Sequence, residues 1–557
     1  MSAIPMAAAP ARAGWLTRGW RGAVLLVALV VALPVLTVFG FVLQPATEVW
    51  QHLAATALRD YVVNSLLLMA GVGAGTLVLG VSTAWVTTTC EFPGRRLFEW
   101  ALLLPMAIPA YIIAYTYTGL LDFAGPVQGG LRAAFGWGYG DYWFPNIRSL
   151  PGAIVMLSLV LYPYVYLLAR AGFLEQSVRV LEVSRTLGAG PLYTFLRVAL
   201  PLARPAVIAG LSLALMETLA DYGTVQYFGV NTFTTGIFRT WFGLGDAGAA
   251  AQLSALLMGF VLILIVVERW SRREARYHHT GSPHRSLSRH RLAGWRRAVA
   301  LGVCLVPLVL GFLLPAGQLL VWTLRTAPAM VNAEFARLLG HSLALAASGA
   351  LVTLTLGLFV AYGRRLHGNR LVNGAVRIAG MGYAIPGTVI AVGVMIPFAW
   401  LDNSIDGWMR AHYGLSTGLL LSGTLAALLF AYLVRFLAVA LQAVESGLAR
   451  IRTSMDEAAR SLGYRPVEVL RRVHAPLMRS SLLTGALLVF VDVLKELPAT
   501  LVLRPFNFNT LAVRAYELAS DERLADAATA SLAIVLAGII PVILLSRAIT
   551  QARPGHA

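Results

Sequence analysis

The chain is poor in the residue types that a soluble enzyme needs. Its 557 residues include two cysteines, one lysine and only 13% charged residues, whereas 58% are hydrophobic. Cys90 and Cys304 both fall in or near apolar segments, so no disulfide or cysteine-metal framework is expected. Lys495 follows no glycine, which excludes a phosphate-binding P-loop, and no HExxH motif or paired nucleophile and base is present. These absences and the high hydrophobic content predict a non-enzymatic chain that lies in a lipid bilayer.

Long apolar runs are abundant instead. A bilayer core about 30 Å thick requires roughly 20 apolar residues per spanning helix. The pattern predicts an all-α polytopic membrane protein with about twelve spans, at approximately 22–43, 62–87, 97–120, 150–171, 201–219, 252–267, 298–323, 341–362, 376–400, 417–440, 477–496 and 528–546.

The positive charge follows membrane sidedness. The net charge is +18, but the arginines are not gathered into one soluble domain, so no nucleic-acid partner is expected. Nine arginines lie between Arg269 and Arg297, whereas 44–60 contains only Arg59 and 401–416 only Arg410. Cytoplasmic loops carry such an excess of basic residues. The bias predicts a multi-pass protein of the bacterial inner membrane with both termini in the cytoplasm.

An internal repeat divides the chain. At an offset of 275 residues Glu182 falls on Glu457 and Gly188 on Gly463, and at an offset of 277 Ala107-Ile108-Pro109 falls on Ala384-Ile385-Pro386. We therefore predict a first six-helix half at 1–268, a basic cytoplasmic linker at 269–297 and a second six-helix half at 298–557. Copies separated by six spans keep the same orientation, so a pseudo-twofold axis along the membrane normal should relate them.

Each half carries an arginine-rich loop between its fourth and fifth spans, at about 172–201 and 441–476. The two loops read LEVSRTLGAGPLYTFLRVALP, from Leu181, and DEAARSLGYRPVEVLRRVHAP, from Asp456. A short helix, a turn at Gly188 or Gly463 where a positive φ is tolerated, and a second helix would form a protruding elbow. The alternative is an ordinary amphipathic loop lying on anionic lipid.

These loops resemble the cytoplasmic signature of the membrane subunits of bacterial ABC importers, in which EAA is followed by a glycine and, later, a proline. The second copy has the EAA start, and the first copy has the better ending, Val198-Ala199-Leu200-Pro201. The resemblance implies contacts with two copies of an ATPase subunit, which would use ATP and Mg, and delivery of solute by a periplasmic binding protein. It implies no cofactor on this chain. The implied coupling residues are Glu182, Ser184, Gly188, Glu457, Ala458, Ala459 and Gly463.

Charged residues end the fifth span of each half. Glu217 and Asp221 are four residues apart, as are Asp492 and Glu496, so each pair should share a helix face. Ionisable groups at membrane depth usually face a bundle interior or a water-filled path. Together with Tyr222 and Lys495 they are candidates for the translocation path, or for a salt-bridged outer gate.

The same segments favour one solute. METLADYGTVQYFGV, from Met216, and KELPATLVLRPFNFNTLAVRAYELASDE, from Lys495, resemble the fused permeases of ferric-iron importers. Iron(III) prefers oxygen ligands, but transport requires sites that release the ion, so no stable metal site is predicted. Permeases for thiamine, phosphonate or another small solute are the alternatives, and an ion-coupled secondary transporter is the alternative from another class.

Overall fold

A computed structural model describes residues 13–45, 48–138, 140–175, 184, 190–273 and 289–551. It is almost entirely helical, as predicted. The helices of the first half are α1 Ala13–Gly40, α2 Glu48–Thr56, α3 Leu58–Thr89, α4 Arg95–Ala101, α5 Ala110–Leu121, α6 Pro126–Phe135, α7 Leu150–Glu175, α8 Pro191–Thr194, α9 Leu200–Ala220, α10 Gly223–Tyr227, α11 Phe233–Phe238 and α12 Ala247–Arg273.

The second half has the corresponding set. Its helices are α13 Trp295–Leu308, α14 Leu314–Met330, α15 Ala333–Leu366, α16 Arg370–Ala379, α17 Gly387–Tyr413, α18 Leu425–Ala449, α19 Thr453–Ser461, α20 Pro466–Val469, α21 Ala475–Leu477, α22 Arg479–Lys495, α23 Pro498–Leu503, α24 Leu511–Ser520 and α25 Leu524–Gln551. Single 3-10 turns occur at Phe41–Leu43, Leu104–Ala107 and Gly382–Ala384.

Within the described residues, ten helices are long and apolar enough to cross a membrane, and counting two bent pairs raises the number to twelve. The predicted span at 97–120 is one of these pairs, because the chain turns by 90° between Ala107 and Ala110. Proline at 109 cannot continue the preceding helix. The repeat places Pro386 at the equivalent point, and α17 begins at the next residue, Gly387.

A wide helical turn precedes three of the prolines. Residues 200, 314 and 475 each donate a backbone N–H to a carbonyl five residues earlier, which is the π-helical pattern. In each case the next residue is proline, whose ring would crowd the carbonyl four residues before it in a regular helix. The π-helical segments are Phe195–Ala199, Val309–Leu313 and Leu470–His474, with a fourth at Arg239–Gly243 that has no such proline.

The chain forms two compact units that cut across the repeat. Unit 1 contains residues up to Thr37, Ala344–Tyr383 and Gly393–Val493, and unit 2 contains Val38–Leu343, Ala384–Val392 and Leu494–Ala557. Most of α1 is thus grouped with second-half spans, and α13 and α14 with first-half spans. The boundaries of the two halves, 1–268 and 298–557, therefore stay a prediction.

Close packing explains why most of α1 belongs to unit 1 and why α13 and α14 belong to unit 2. In unit 1 the indole of Trp20, on α1, stacks on Phe359 with ring centroids 4.6 Å apart. In unit 2 a Cβ built on Gly311 would lie 2.8 Å from the carbonyl oxygen of Leu159, so only glycine permits this approach. The end of the linker also joins unit 2, since β1 (Cys90–Glu91) pairs in parallel with β2 (His290–Arg291).

Candidate coupling and translocation sites

The second elbow has the predicted helix-turn-helix form. Helix α19 ends at Ser461, and the chain turns at Gly463, whose φ of 84° lies in the left-handed region. Helix α20 then starts at Pro466, where Glu468 accepts a hydrogen bond of 2.8 Å from the Arg465 amide. Glycine at 463 therefore meets a conformational need that other residues meet only with strain.

The predicted coupling residues of this elbow divide into exposed and buried ones. Glu457, Ala458 and Gly463 are exposed, whereas Ala459 faces inward and is 6% exposed. Large apolar side chains are exposed on the same elbow, at Met455, Leu462, Tyr464 and Val467. Unpartnered apolar surface of this kind is typical of a protein-protein contact.

A buried ion network fixes the inner side of the elbow. The carboxylate of Asp456, which is 6% exposed, accepts hydrogen bonds of 2.7 and 3.2 Å from the guanidinium of Arg365. Its Oδ1 lies 2.6 Å from Nε2 of His474, which is fully buried. The two residues of the elbow are therefore joined to each other and to α15.

The same guanidinium holds the end of the fourth span. Arg365 donates hydrogen bonds of 2.6 Å to the carbonyl of Leu448 and 2.9 Å to that of Ile451. One turn earlier on α15, the hydroxyl of Tyr362 donates to the carbonyl of Pro466 at 2.8 Å. Helix α15 thus contacts the elbow before and after its turn.

The electrostatics of Asp456 follow from these partners. Burial alone would raise the pKa of its carboxyl group, but hydrogen bonds and charge from Arg365 and His474 outweigh burial and lower that pKa below its ordinary value. The carboxylate therefore remains ionised throughout the neutral range.

Part of the first elbow lies outside the described residues, including Glu182 and Gly188. Ser184 is described, is buried, and lies 3.0 Å from the Thr194 hydroxyl. The returning segment carries Phe195, whose ring centroid is 4.9 Å from that of Trp85, and Trp85 is in turn 5.3 Å from Phe173. Aromatic packing therefore fixes this return to the second and fourth spans.

The predicted carboxylates at the ends of the fifth spans have different surroundings from those expected. Helix α9 ends at Ala220, so Asp221 lies just beyond it and does not continue the face of Glu217. Asp221 instead accepts hydrogen bonds from the Thr224 hydroxyl at 3.0 Å and the Val225 amide at 3.1 Å. It therefore satisfies the otherwise unpaired amides at the start of α10.

Glu496 does the same in the second half. Helix α22 ends at Lys495, and the buried Glu496 carboxylate accepts from the amides of Ala499 at 2.9 Å and Thr500 at 3.0 Å at the start of α23. Asp221 and Glu496 are related by the repeat, so each half uses one carboxylate to form a sharp turn into a short helix. Sequence periodicity missed both turns because neither helix is long enough to show it.

The other candidates remain near these turns. Glu217 and Asp492 lie in the last turns of α9 and α22, and both are partly exposed, as is Lys495. Tyr222 is buried and stacks on Phe238, with ring centroids 3.9 Å apart. Among the described residues, no group of three or more histidine, cysteine, aspartate or glutamate side chains could hold a metal ion.

The chain is similar in sequence to several transport permeases. The chain is 26% identical to the Fe(3+)-transport system permease protein FbpB 2 of Haemophilus influenzae over 531 residues, or 94% of this chain and 97% of that protein. It is 21% identical to the putative ferric transport system permease protein FbpB 1 of the same organism, covering 84% of this chain and 76% of the relative. The molybdenum transport system permease protein ModB of Escherichia coli is 25% identical over 36% of this chain and 87% of its own length.

A family model matches each half separately. The model for binding-protein-dependent transport system inner membrane components matches residues 76–276 and again 353–553. The second match begins where the repeat predicts, and each match contains one elbow and one carboxylate turn. The chain is a multi-pass inner-membrane permease, and it belongs to the family of binding-protein-dependent transport system inner membrane components, of which it carries two copies in tandem.

Proposed function

We propose that this protein is the permease of an ABC importer that carries ferric iron into the cytoplasm. Resemblance to two ferric transport permeases carries the proposal, because the alignments with them cover 94% and 84% of this chain and so extend over both halves. The molybdenum permease corresponds to a single half. A periplasmic binding protein delivers the ion, and two copies of an ATPase subunit bind the elbows on the cytoplasmic side, where both termini also lie.

The charges at the ends of the fifth spans support a cationic solute. Four carboxylates end these spans, at Glu217, Asp221, Asp492 and Glu496, against the single basic residue Lys495. An oxyanion would be repelled by this excess, whereas a hard cation is attracted to oxygen ligands. Asp221 and Glu496 already accept backbone hydrogen bonds, so they stabilise the turns, and Glu217 and Asp492 are the better candidates for transient contact with the ion.

ATP hydrolysis belongs to the partner subunits. The chain has no P-loop, and the second elbow exposes Glu457, Ala458 and the apolar side chains of Met455 and Leu462. Apolar side chains ringed by arginines suit a contact whose centre is dry and whose rim is polar. We assign the same role to the first elbow from its repeat-related position.

The solute is tested in proteoliposomes that contain the permease and its ATPase. Binding proteins loaded with ferric iron, molybdate or thiamine are added outside, and ATP hydrolysis is measured. Stimulation by the iron-loaded protein is expected, and stimulation by the molybdate- or thiamine-loaded protein alone would overturn the iron assignment. Glu217→Gln combined with Asp492→Asn should reduce iron uptake and leave ATPase binding unchanged.

A further inference from the structure

The second elbow contains a set of buried charged and polar groups that the repeat does not provide at the first. Arg365, Asp456 and His474 form one hydrogen-bonded network inside unit 1, with bonds of 2.6 to 3.2 Å. The positions related to them by the repeat hold Thr88, Leu181 and Ala199. None of these three side chains can carry a charge.

Charge balance explains why the network is stable. The carboxylate and the guanidinium neutralise each other, and Nε2 of His474 lies within hydrogen-bond distance of the same carboxylate. Nδ1 of His474 is buried and has no hydrogen-bond partner in the described part of the chain. Tyr362 faces the imidazole ring of His474 edge-on, with ring centroids 5.4 Å apart. The guanidinium of Arg460 interacts electrostatically with Tyr362.

The network joins the parts of the elbow before and after its turn. Asp456 lies on α19 before the turn, His474 lies in the π-helical return after it, and Arg365 lies in the last turn of α15. Arg365 also binds the carbonyls of Leu448 and Ile451, where the fourth span enters the elbow. Buried charge pairs with several bonds have narrow geometry, so the elbow is held to its bundle as one body.

We propose that Asp456, Arg365 and His474 are positioning residues that transmit the movement of the ATPase at the second elbow into unit 1. The first elbow, which has Leu181, Ala199 and Thr88 at these positions, does not share this role. The two elbows therefore bind equivalent ATPase subunits, but only the second transmits their movement through a buried ion network. This inference rests on the proposed function, since it requires an ATPase at the elbows.

The test measures coupling rather than activity alone. Full-length permease with its ATPase is reconstituted in vesicles, and the ratio of ATP hydrolysed to solute transported is determined with a loaded binding protein. Asp456→Asn keeps the size of the side chain and removes its charge. We expect the ratio to rise at least about fivefold, the lower end of typical coupling effects, while the affinity for the ATPase stays unchanged.

A matched control is one residue away. Arg364 also lies in the last turn of α15, and it pairs with Glu445 of that half's fourth span at 2.8 Å. Both side chains of this pair are partly exposed. Arg364→Ala should leave the ratio as in the wild type, and Arg365→Ala should raise it. Equal effects of the two substitutions would overturn the proposal.

A graft separates positioning from stability. Arg365→Thr, Asp456→Leu and His474→Ala together give the second elbow the residues that stand at the first, and apolar replacement of a complete buried ion network often preserves folding. This variant should assemble with the ATPase and be uncoupled. Wild-type coupling in the graft would overturn the inference.

The outcome is distinguishable from failure of the iron assignment. If wild-type vesicles transport molybdate or sulfate in place of iron, the proposed substrate is wrong, and the coupling ratio is then measured with the transported anion. Uncoupling of the graft with that anion would still support the inference. Normal coupling would overturn it.

Discussion

The two elbows occupy repeat-related places but are fixed by different chemistry. At the second, a carboxylate, a guanidinium and an imidazole are buried together around Asp456. At the first, the described contacts include a ring cluster of Trp85, Phe173 and Phe195 and the hydroxyl pair of Ser184 and Thr194. Removal of one partner from a buried ion network leaves an uncompensated charge in the interior, whereas aromatic packing has no charge to leave unpaired. A tandem chain permits this difference, which two identical subunits could not have.

The largest difference should appear when one partner of the ion network is removed. Arg365→Ala leaves the Asp456 carboxylate buried without its counter-charge, which costs about 3–5 kcal/mol. Hydrogen exchange of the full-length protein should then become faster in α19 and in the Leu470–His474 return. Unchanged protection there would show that the ion network does not hold the second elbow.

Removal of an aromatic ring tests the first elbow. Trp85→Ala eliminates the ring against which Phe195 and Phe173 pack. Because this ring is only partly buried, the cost should be smaller than the roughly 3–5 kcal/mol of a fully buried aromatic truncation. Because the cavity can partly collapse, we expect a smaller loss of protection at 191–199 than Arg365→Ala causes at the second elbow. A loss of protection in α19 without any loss at 191–199 would contradict the contacts assigned to Trp85.

Acid should separate the elbows without mutation. The folded-state pKa of Asp456 is lowered, so its contribution to stability is complete above the unfolded carboxyl value of about 3.9 and is lost as the pH falls through the lower folded value. Hydrogen exchange corrected for its intrinsic pH dependence should therefore show no change at α19 between neutral pH and about pH 5. Loosening should begin only in stronger acid. The segment 191–199, where Phe195 packs on Trp85 and Thr194 pairs with Ser184, should not follow it.

The turn at Gly463 should give a moderate effect. Gly463→Ala forces a Cβ into the left-handed region at a φ of 84°, at a cost of about 1–2 kcal/mol. No atom lies within 4 Å of that Cβ, so the cost is conformational and not steric. Gly463→Asn should lose less stability than Gly463→Ala, because asparagine tolerates the left-handed region better than alanine does. Equal stability of the wild type and both variants, measured by thermal unfolding, would show that the turn is not strained.

The smallest effect belongs to the partly exposed pair beside the network. Arg364→Ala removes the ion pair with Glu445, and pairs of this kind contribute about 0–1 kcal/mol. Protection at α19 should be unchanged within error. A loss as large as that for Arg365→Ala would assign the stability to overall charge and not to the buried contacts.

Much of the fold could be predicted from the sequence because long apolar runs and a repeat carry strong signals. Ten of the predicted runs fall on the candidate spans, whereas those at 376–400 and 417–440 begin before their helices, which start at Gly387 and Leu425. The elbow turn at Gly463 follows from the freedom of glycine to adopt a positive φ. The bend at 107–110 was not predicted, since hydropathy does not register a change of direction inside an apolar run. The short helices α10 and α23 were missed because five or six residues show no helical period.

The site was predicted only in part. The sequence indicated which positions lie on the elbow, but it could not indicate that Asp456 and His474, 18 residues apart, meet at 2.6 Å. The same carboxylate also binds Arg365, which comes from another helix some 90 residues earlier in the chain. The roles of Asp221 and Glu496 were also obscured, because a carboxylate that caps a short helix and one that lines a path look alike in sequence.

Iron uptake itself tests the account most directly. Vesicles containing the permease and its ATPase, with ATP on the ATPase side, are given a binding protein loaded with radioactive ferric iron, and iron accumulated inside is counted. The account predicts ATP-dependent accumulation in the wild type, and in the Asp456→Asn variant little accumulation despite continued ATP hydrolysis. Wild-type vesicles that accumulate no iron, or a variant that accumulates it at the wild-type ratio to ATP, would contradict the account.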